Sequence, residues 1–94
     1  MLVTILCFDK PDHFDLRMKT RPAHLAWLEE KKPRASFIGP IMSDDQKTMH
    51  GSVYIAEFDD LAQARAFQQD DPYHRAGLFE RVVVQPTRNI LAPA

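Results

Sequence analysis

The chain has little with which to cross-link itself, grip phosphates or enter a membrane. It carries one cysteine, Cys7, which excludes an internal disulfide and a thiolate zinc cluster. Its three glycines form no glycine-rich phosphate loop, so no nucleotide cofactor is implied. Twelve basic side chains stand against thirteen acidic ones, a net charge of −1. Without a cationic surplus to track a phosphate backbone, nucleic acid is not expected as a partner. The longest N-terminal apolar run, Leu2 to Phe8, is broken by Thr4 and stopped by Asp9. It lacks a basic leader and a cleavage site and is too short to cross a bilayer, so neither signal peptide nor membrane contact is expected. A cytoplasmic protein is the expectation that remains. With 94 residues, 45% apolar and 27% charged, the chain has ordinary globular composition and room for a single domain.

What is present alternates between two periods. Leu2–Phe8 is apolar on both faces, Val3, Ile5 and Cys7 on one and Leu2, Leu6 and Phe8 on the other, which predicts a strand covered on each side. From His13 to Lys32 the period is helical, with Phe14, Met18, Leu25 and Leu28 on one stripe. Pro22 interrupts it, so the reading is a short helical segment over about 12–19 and a proper helix opening at Pro22, with Thr20 or Arg21 near its cap and Thr20 the better acceptor. Lys31 and Lys32 suit the last turn, and Pro33 stops it. Ser36–Met42 reads as a second strand, which Pro40 assigns to an edge or to a bulge. Ser43–His50 is a polar hairpin connection, and Gly51–Phe58 a third strand apolar on both faces. Asp60 and Gln63 form a capping box ahead of a helix with Leu61, Ala64 and Phe67 on one side, ending before Pro72. After a turn over 71–77, Phe79–Pro86 is the fourth strand. A core over 1–86 and a tail over 87–94 complete the single domain.

The order β-α-β-β-α-β predicts an α+β, ferredoxin-like subunit, with two helices on one face of a four-stranded antiparallel sheet. The two strands apolar on both faces are its central ones. Helices cover one face only. The same sheet from another copy would cover the second, so a homodimer through sheet-to-sheet packing is expected.

Few polar groups are placed for chemistry. His24, read as lying in a helix's first turn, meets free N–H groups and a positive dipole end that disfavour an imidazolium. A neutral histidine can accept a proton or donate to a substrate oxygen. The alternative is a boundary histidine packed against a strand. Its neighbours at helical spacing are Arg17, Arg21 and Leu28. Asp70 and Asp71 close the second helix at its negative end, which is locally unfavourable. Asp-Pro starts turns, which accounts for Asp71 but not for Asp70. Asp71, held extended by Pro72, could orient a histidine, and a His–Asp pair is the smallest unit for general base work. Ser52 begins a strand beside Gly51, where its hydroxyl faces a pocket or simply ends the strand. Tyr73 and Trp27 line an apolar cavity or serve the core. Cys7, mid-strand, reads as a small buried hydrophobe. His13, His24, His50 and His74 show no ligand spacing, so no metal is expected.

Arg21-Pro-Ala-His24-Leu, Gly39-Pro40, Gly51-Ser52 and Asp71-Pro-Tyr-x-x-Ala-Gly77-Leu-Phe-Glu80, in that order, resemble the YciI-like (YCII-related) family, over nearly the whole chain to Gln85. The resemblance implies a dimeric α/β barrel of ferredoxin-like subunits. It also implies a His–Asp pair in a small pocket, mapping onto His24 and Asp71, with Ser52 as a pocket hydroxyl and Gly39 and Pro40 among the substrate-binding positions. The wider superfamily includes enzymes that isomerise, dehalogenate or oxidise small aromatic breakdown products. Lys31-Lys-Pro-Arg34 stands where the family usually has a glycine-containing turn, and the tail from Thr87 is not the family's basic one.

Two functions compete at this point. One is a cofactor-independent lyase or isomerase acting on a small cyclic or aromatic acid. In it His24 is the acid or base, Asp71 holds its tautomer, Ser52 and Tyr73 meet the substrate, and Arg21 meets a carboxylate. The other is a non-catalytic dimeric module that binds a ligand or a protein, with a structural His–Asp contact. The superfamily's oxidative branch ranks last, since nothing resembles a haem or flavin site.

Overall fold

A computed structural model describes residues 1–91. The end of the expected tail, 92–94, lies outside the described residues. The elements are β1 (Leu2–Asp9), α1 (Phe14–Lys31), β2 (Arg34–Met42), β3 (Met49–Glu57), α2 (Leu61–Asp70), the single turn α3 (Pro72–Arg75) and β4 (Phe79–Pro86). The strands form one antiparallel sheet in the order β2-β3-β1-β4. This is the α+β, ferredoxin-like arrangement, with β1 and β3 central.

Alternation along β1 sorts its side chains. Val3, Ile5 and Cys7 are fully buried under the helices and join Tyr54 of β3 and Ala64 of α2 in the core. Leu2, Leu6 and Phe8 point the other way and are only half-buried. Pro40 sits on edge strand β2 opposite Ser52, and the register shifts fall elsewhere, between Ala35 and Phe37 and between Ile41 and Met42. Gly51 is required where it stands: a Cβ there would lie 2.6 Å from the Cys7 carbonyl oxygen and 2.7 Å from Ile41 Cδ1. Asp60 caps α2 by accepting from the Gln63 N–H at 2.8 Å, which is half of the expected box.

The first helix departs from expectation. It runs unbroken from Phe14 to Lys31 with Pro22 inside it, so Thr20 is not a cap and no helix opens at Pro22. Of the stripe of Phe14, Met18, Leu25 and Leu28, only Leu28 packs against the core, and the other three are more than a third exposed. The buried residues of α1 are Arg17, His24 and Trp27. Arg17 and His24 are seven residues apart, two helical turns, and both are tied to residues outside the helix. Those anchors keep the helix continuous through the proline, whose missing N–H orphans only the carbonyl of exposed Met18. At the end of α1, Lys32 takes the left-handed conformation (φ 47°) that glycine would adopt more easily, and its N–H caps the Leu28 carbonyl.

Pro22→Ala tests this continuity. In a helix interior the exchange should stabilise by about 1–3 kcal/mol, the interior-proline penalty less the chain entropy proline removes from the unfolded state. At a helix start it would be neutral or destabilising. Chemical denaturation of the two proteins separates the cases.

Candidate active site

A cleft opens between α1 and the β2–β3 half of the sheet, which the helices do not cover. Its cavity of about 360 Å³ is lined by Arg17, Arg21, His24, Leu25 and Leu28 of α1, by Ile38, Gly39 and Pro40 of β2, by Met49, Ser52 and Tyr54 of β3, and by Tyr73. Every substrate-binding residue expected from the sequence, Ser52, Arg21, Tyr73, Gly39 and Pro40, is on this wall.

Behind His24 lies Asp71, which is fully buried. It closes α2 and caps α3 with φ −56° and ψ 127°, the extended conformation imposed on a residue before proline. Its Oδ1 accepts from the Tyr73 N–H at 2.9 Å and from His24 Nδ1 at 2.9 Å, and its Oδ2 accepts from the Tyr54 hydroxyl at 2.7 Å. The structure therefore brings His24 and Asp71 into hydrogen-bond contact across 47 residues of chain. With Nδ1–H donating to the carboxylate, the lone pair of the imidazole is on Nε2. Nε2 has no protein partner among the described residues, and no buried side-chain polar atom there is left unpaired. It opens to the cavity.

The tautomer therefore comes from Asp71 and not from a helix terminus. His24 is mid-helix, so the expected dipole effect does not act on it. Burial, reinforced by the nearby Asp71 charge, pushes the Tyr54 hydroxyl well above the usual phenol range, which keeps it a donor. The ring of Tyr73 stacks on His24 with centroids 4.1 Å apart, and the Arg17 guanidinium lies 4.4 Å from the Tyr73 centroid. Tyr73 is thus held between the two polar groups that face the cavity.

Arg17, only 2% exposed, has partners on two sides. Its Nε and Nη2 reach the two oxygens of Asp9 at 2.7 and 3.0 Å, and Nη2 also donates to Ser52 Oγ at 2.8 Å. Burial works against its charge, but the hydrogen bond and attraction of Asp9 outweigh it and hold the guanidinium above its usual pKa. Arg17, Asp9 and Tyr54 were not singled out from the sequence. Arg17 stands two turns before His24, and Tyr54 follows Ser52 by two on one strand face, so both were reachable by periodicity once their neighbours were chosen.

Other expectations fall away. Asp70 takes no part in the cleft. It accepts from Trp27 Nε1 at 3.0 Å and from Arg75 at 2.6 Å, and the Trp27 bond first, then Arg75 and Lys31, hold its carboxyl below the usual range. Those contacts explain its unfavourable place at a helix end. Trp27 does not line the cavity but packs on Phe67 at 4.6 Å between centroids. Cys7 is fully buried, and desolvation first, then Asp71, pushes its thiol up to about 12, so it is no nucleophile at neutral pH.

The site thus belongs to a small α+β, ferredoxin-like protein with a His, an Asp and a serine at one cleft. The chain belongs to the YCII-related family: that domain's profile matches residues 1–88. Protein YciI of Escherichia coli O6:H1 is 37% identical over 97 aligned residues, spanning 96% of this chain and 99% of the relative. An uncharacterized protein of Haemophilus influenzae is 28% identical over the same shares. Among solved structures, 5-chloro-2-hydroxyhydroquinone dehydrochlorinase (TftG) of Burkholderia phenoliruptrix, in complex with 2,5-dihydroxybenzoquinone, superposes with a TM-score of 0.86 at 33% identity, covering 94% of each chain. An antibiotic biosynthesis monooxygenase at 18% identity and a TM-score of 0.51 shares the fold.

The tautomer assignment is directly measurable by ¹⁵N NMR of the imidazoles. Wild-type His24 should show the Nδ1–H form, and Asp71→Asn should lose that preference. Tyr54→Phe should keep the tautomer but lower stability by about 1–3 kcal/mol, the cost of a buried acceptor short of one partner. A His24 that ignores Asp71→Asn would contradict the pairing.

Proposed function

We propose that this protein is a cofactor-independent enzyme that moves a proton on a small cyclic or aromatic acid, in a lyase- or isomerase-type reaction. The observation that carries the reading is the two-sided environment of His24. One ring nitrogen is fixed on a buried carboxylate, and the other faces a cavity sized for a single ring. Cavities of about 150 Å³ already take benzene, so about 360 Å³ leaves room for a ring with substituents.

In this reading His24 Nε2 takes a proton from a substrate hydroxyl or an acidic carbon. Asp71 keeps Nδ1 protonated and balances the imidazolium that forms, while Tyr54 and the Tyr73 N–H hold the carboxylate in place. The electron pair left on the substrate either expels a leaving group with its bonding pair or moves through the ring to a carbon, which takes the proton back. No net oxidation is involved. Ser52 and Tyr73 contact the ring, Gly39 and Pro40 form the opposite wall, and exposed Arg21 at the rim meets a carboxylate or phenolate. The named activity of TftG, loss of HCl from a chlorinated hydroquinone, is chemistry of this class, which supports the substrate class for a chain 33% identical to it.

The expected partner is a second copy. Leu6 and Phe8 of β1, with their register neighbours Val53 and Arg81, lie on the sheet face away from the helices, beside Ile55 and Phe37, and Phe37 is 54% exposed. Stacking two such faces gives the dimeric α/β barrel and covers an apolar surface that water otherwise meets.

Two measurements check these readings. A set of hydroxylated and chlorinated single-ring phenols, followed by absorbance and chloride release, should contain a substrate, and His24→Ala should slow its turnover by about 10²–10⁴-fold. Unchanged turnover in that variant would remove His24 as the acid or base, and no turnover across the set would leave the non-catalytic binding module. Sedimentation should give a dimer for the wild type and a monomer for Phe37→Lys combined with Leu6→Lys. A wild-type monomer at micromolar concentration would refute the sheet-to-sheet assembly.

A further inference from the structure

Hydrogen-bond accounting around Ser52 goes beyond the His24–Asp71 pair. The bond between Arg17 and Ser52 has one possible direction, because a guanidinium only donates. Arg17 Nη2, 2.8 Å away, therefore occupies a lone pair of the Ser52 hydroxyl and leaves its hydrogen uncommitted. No protein acceptor takes that hydrogen among the described residues, although Ser52 is only 4% exposed. The small exposed part faces the cavity that His24 also lines. Asp9 completes the device: its two bonds to Arg17 fix the guanidinium plane, so the second N–H of Nη2 has one aim.

The cleft therefore presents two polar groups of opposite sense. His24 Nε2 accepts, and Ser52 O–H donates with a buried cation directly behind it. Such a donor is worth most against a negatively charged oxygen in a water-poor site. The other charges agree with this. Asp71 is turned away behind His24 and its oxygens are occupied, both oxygens of Asp9 are taken up by Nε and Nη2 of Arg17, and Arg21 adds a cation at the rim with no salt bridge among the described residues.

We propose that Asp9, Arg17 and Ser52 form an oxyanion donor, and that the ligand class is a small hydroxylated ring held as its phenolate or enolate, with the charged oxygen on Ser52. This rests on the proposed function only in placing ligand and His24 in one cavity. Ser52 touches the ligand, whereas Arg17 is a positioning residue that acts through it.

The test is the visible spectrum of 4-nitrophenol, whose phenolate and phenol absorb at different wavelengths, titrated with protein at a pH where both forms are present. Wild type should bind the phenolate in preference, and His24→Ala should keep that preference, since the donor is intact. Ser52→Ala should weaken phenolate binding about ten- to a hundredfold, the ordinary worth of a hydrogen bond to a charged group, with neutral-phenol binding nearly unchanged. Arg17→Lys keeps a cation beside Asp9 but loses the fork, and should lose most of the preference while its melting curve shows a folded protein. Equal binding of both forms by wild type, no binding at all, or full preference in Ser52→Ala would each overturn the inference. Preference lost in His24→Ala but kept in Ser52→Ala would overturn it while leaving His24 as the base. Preference retained in His24→Ala alongside unchanged turnover would support it and remove His24 as the base instead.

Discussion

The carboxylate of Asp71 is the constraint around which the site is arranged. It is fully buried, and a buried carboxylate is tolerated only when its oxygens are taken up by donors. The three donors come from three places: Tyr54 from the centre of the sheet, His24 from the middle of α1, and the Tyr73 amide from the turn after α2. Satisfying one side chain thus fixes the height of α1 over β3 and the entry of α3. The same contacts decide which nitrogen of His24 faces the cavity. Stability and reactivity share these bonds.

A second polar anchor works in parallel. Arg17 holds the early part of α1 to Asp9 at the end of β1 and to Ser52 on β3. Between the two anchors the helix carries Pro22 without breaking. The aromatic ring of Tyr73, stacked on His24 and lying under Arg17, joins them into one unit. The buried positions of α1 are accordingly mixed, with Arg17 and His24 beside Trp27 and core-packed Leu28, while Phe14, Met18 and Leu25 are more than a third exposed. That mixture departs from the usual pattern, as a helix whose inner face serves a cleft as well as a core requires.

That mixture also explains where reading by periodicity failed. Apolar residues at helical spacing normally mark the inside, which holds for Leu28 of the stripe but not for Phe14, Met18 and Leu25, and periodicity offers Arg17 only as a neighbour of His24. A local rule for proline then split α1, because propensity contains no term for distant anchors. Asp70 drew attention as an unfavourable charge, yet its partners Trp27 and Arg75 lie 43 and 5 residues away. The strands suffered none of these errors. Their apolar runs, the edge position of Pro40 and the two-faced centre strands are local patterns.

The sequence alone determined the βαββαβ order, the central strands and the family, together with the residues His24, Ser52 and Asp71 as those worth watching. These are properties of local periodicity and of short motifs, and a single chain displays them without folding. Tertiary structure decided that His24 meets Asp71, that Tyr54 and Tyr73 complete the carboxylate's shell, and that Arg17 stands behind Ser52. Each of these is a hydrogen bond or stacking contact between groups far apart in the chain. Its geometry exists only once the sheet and helices have set the distances.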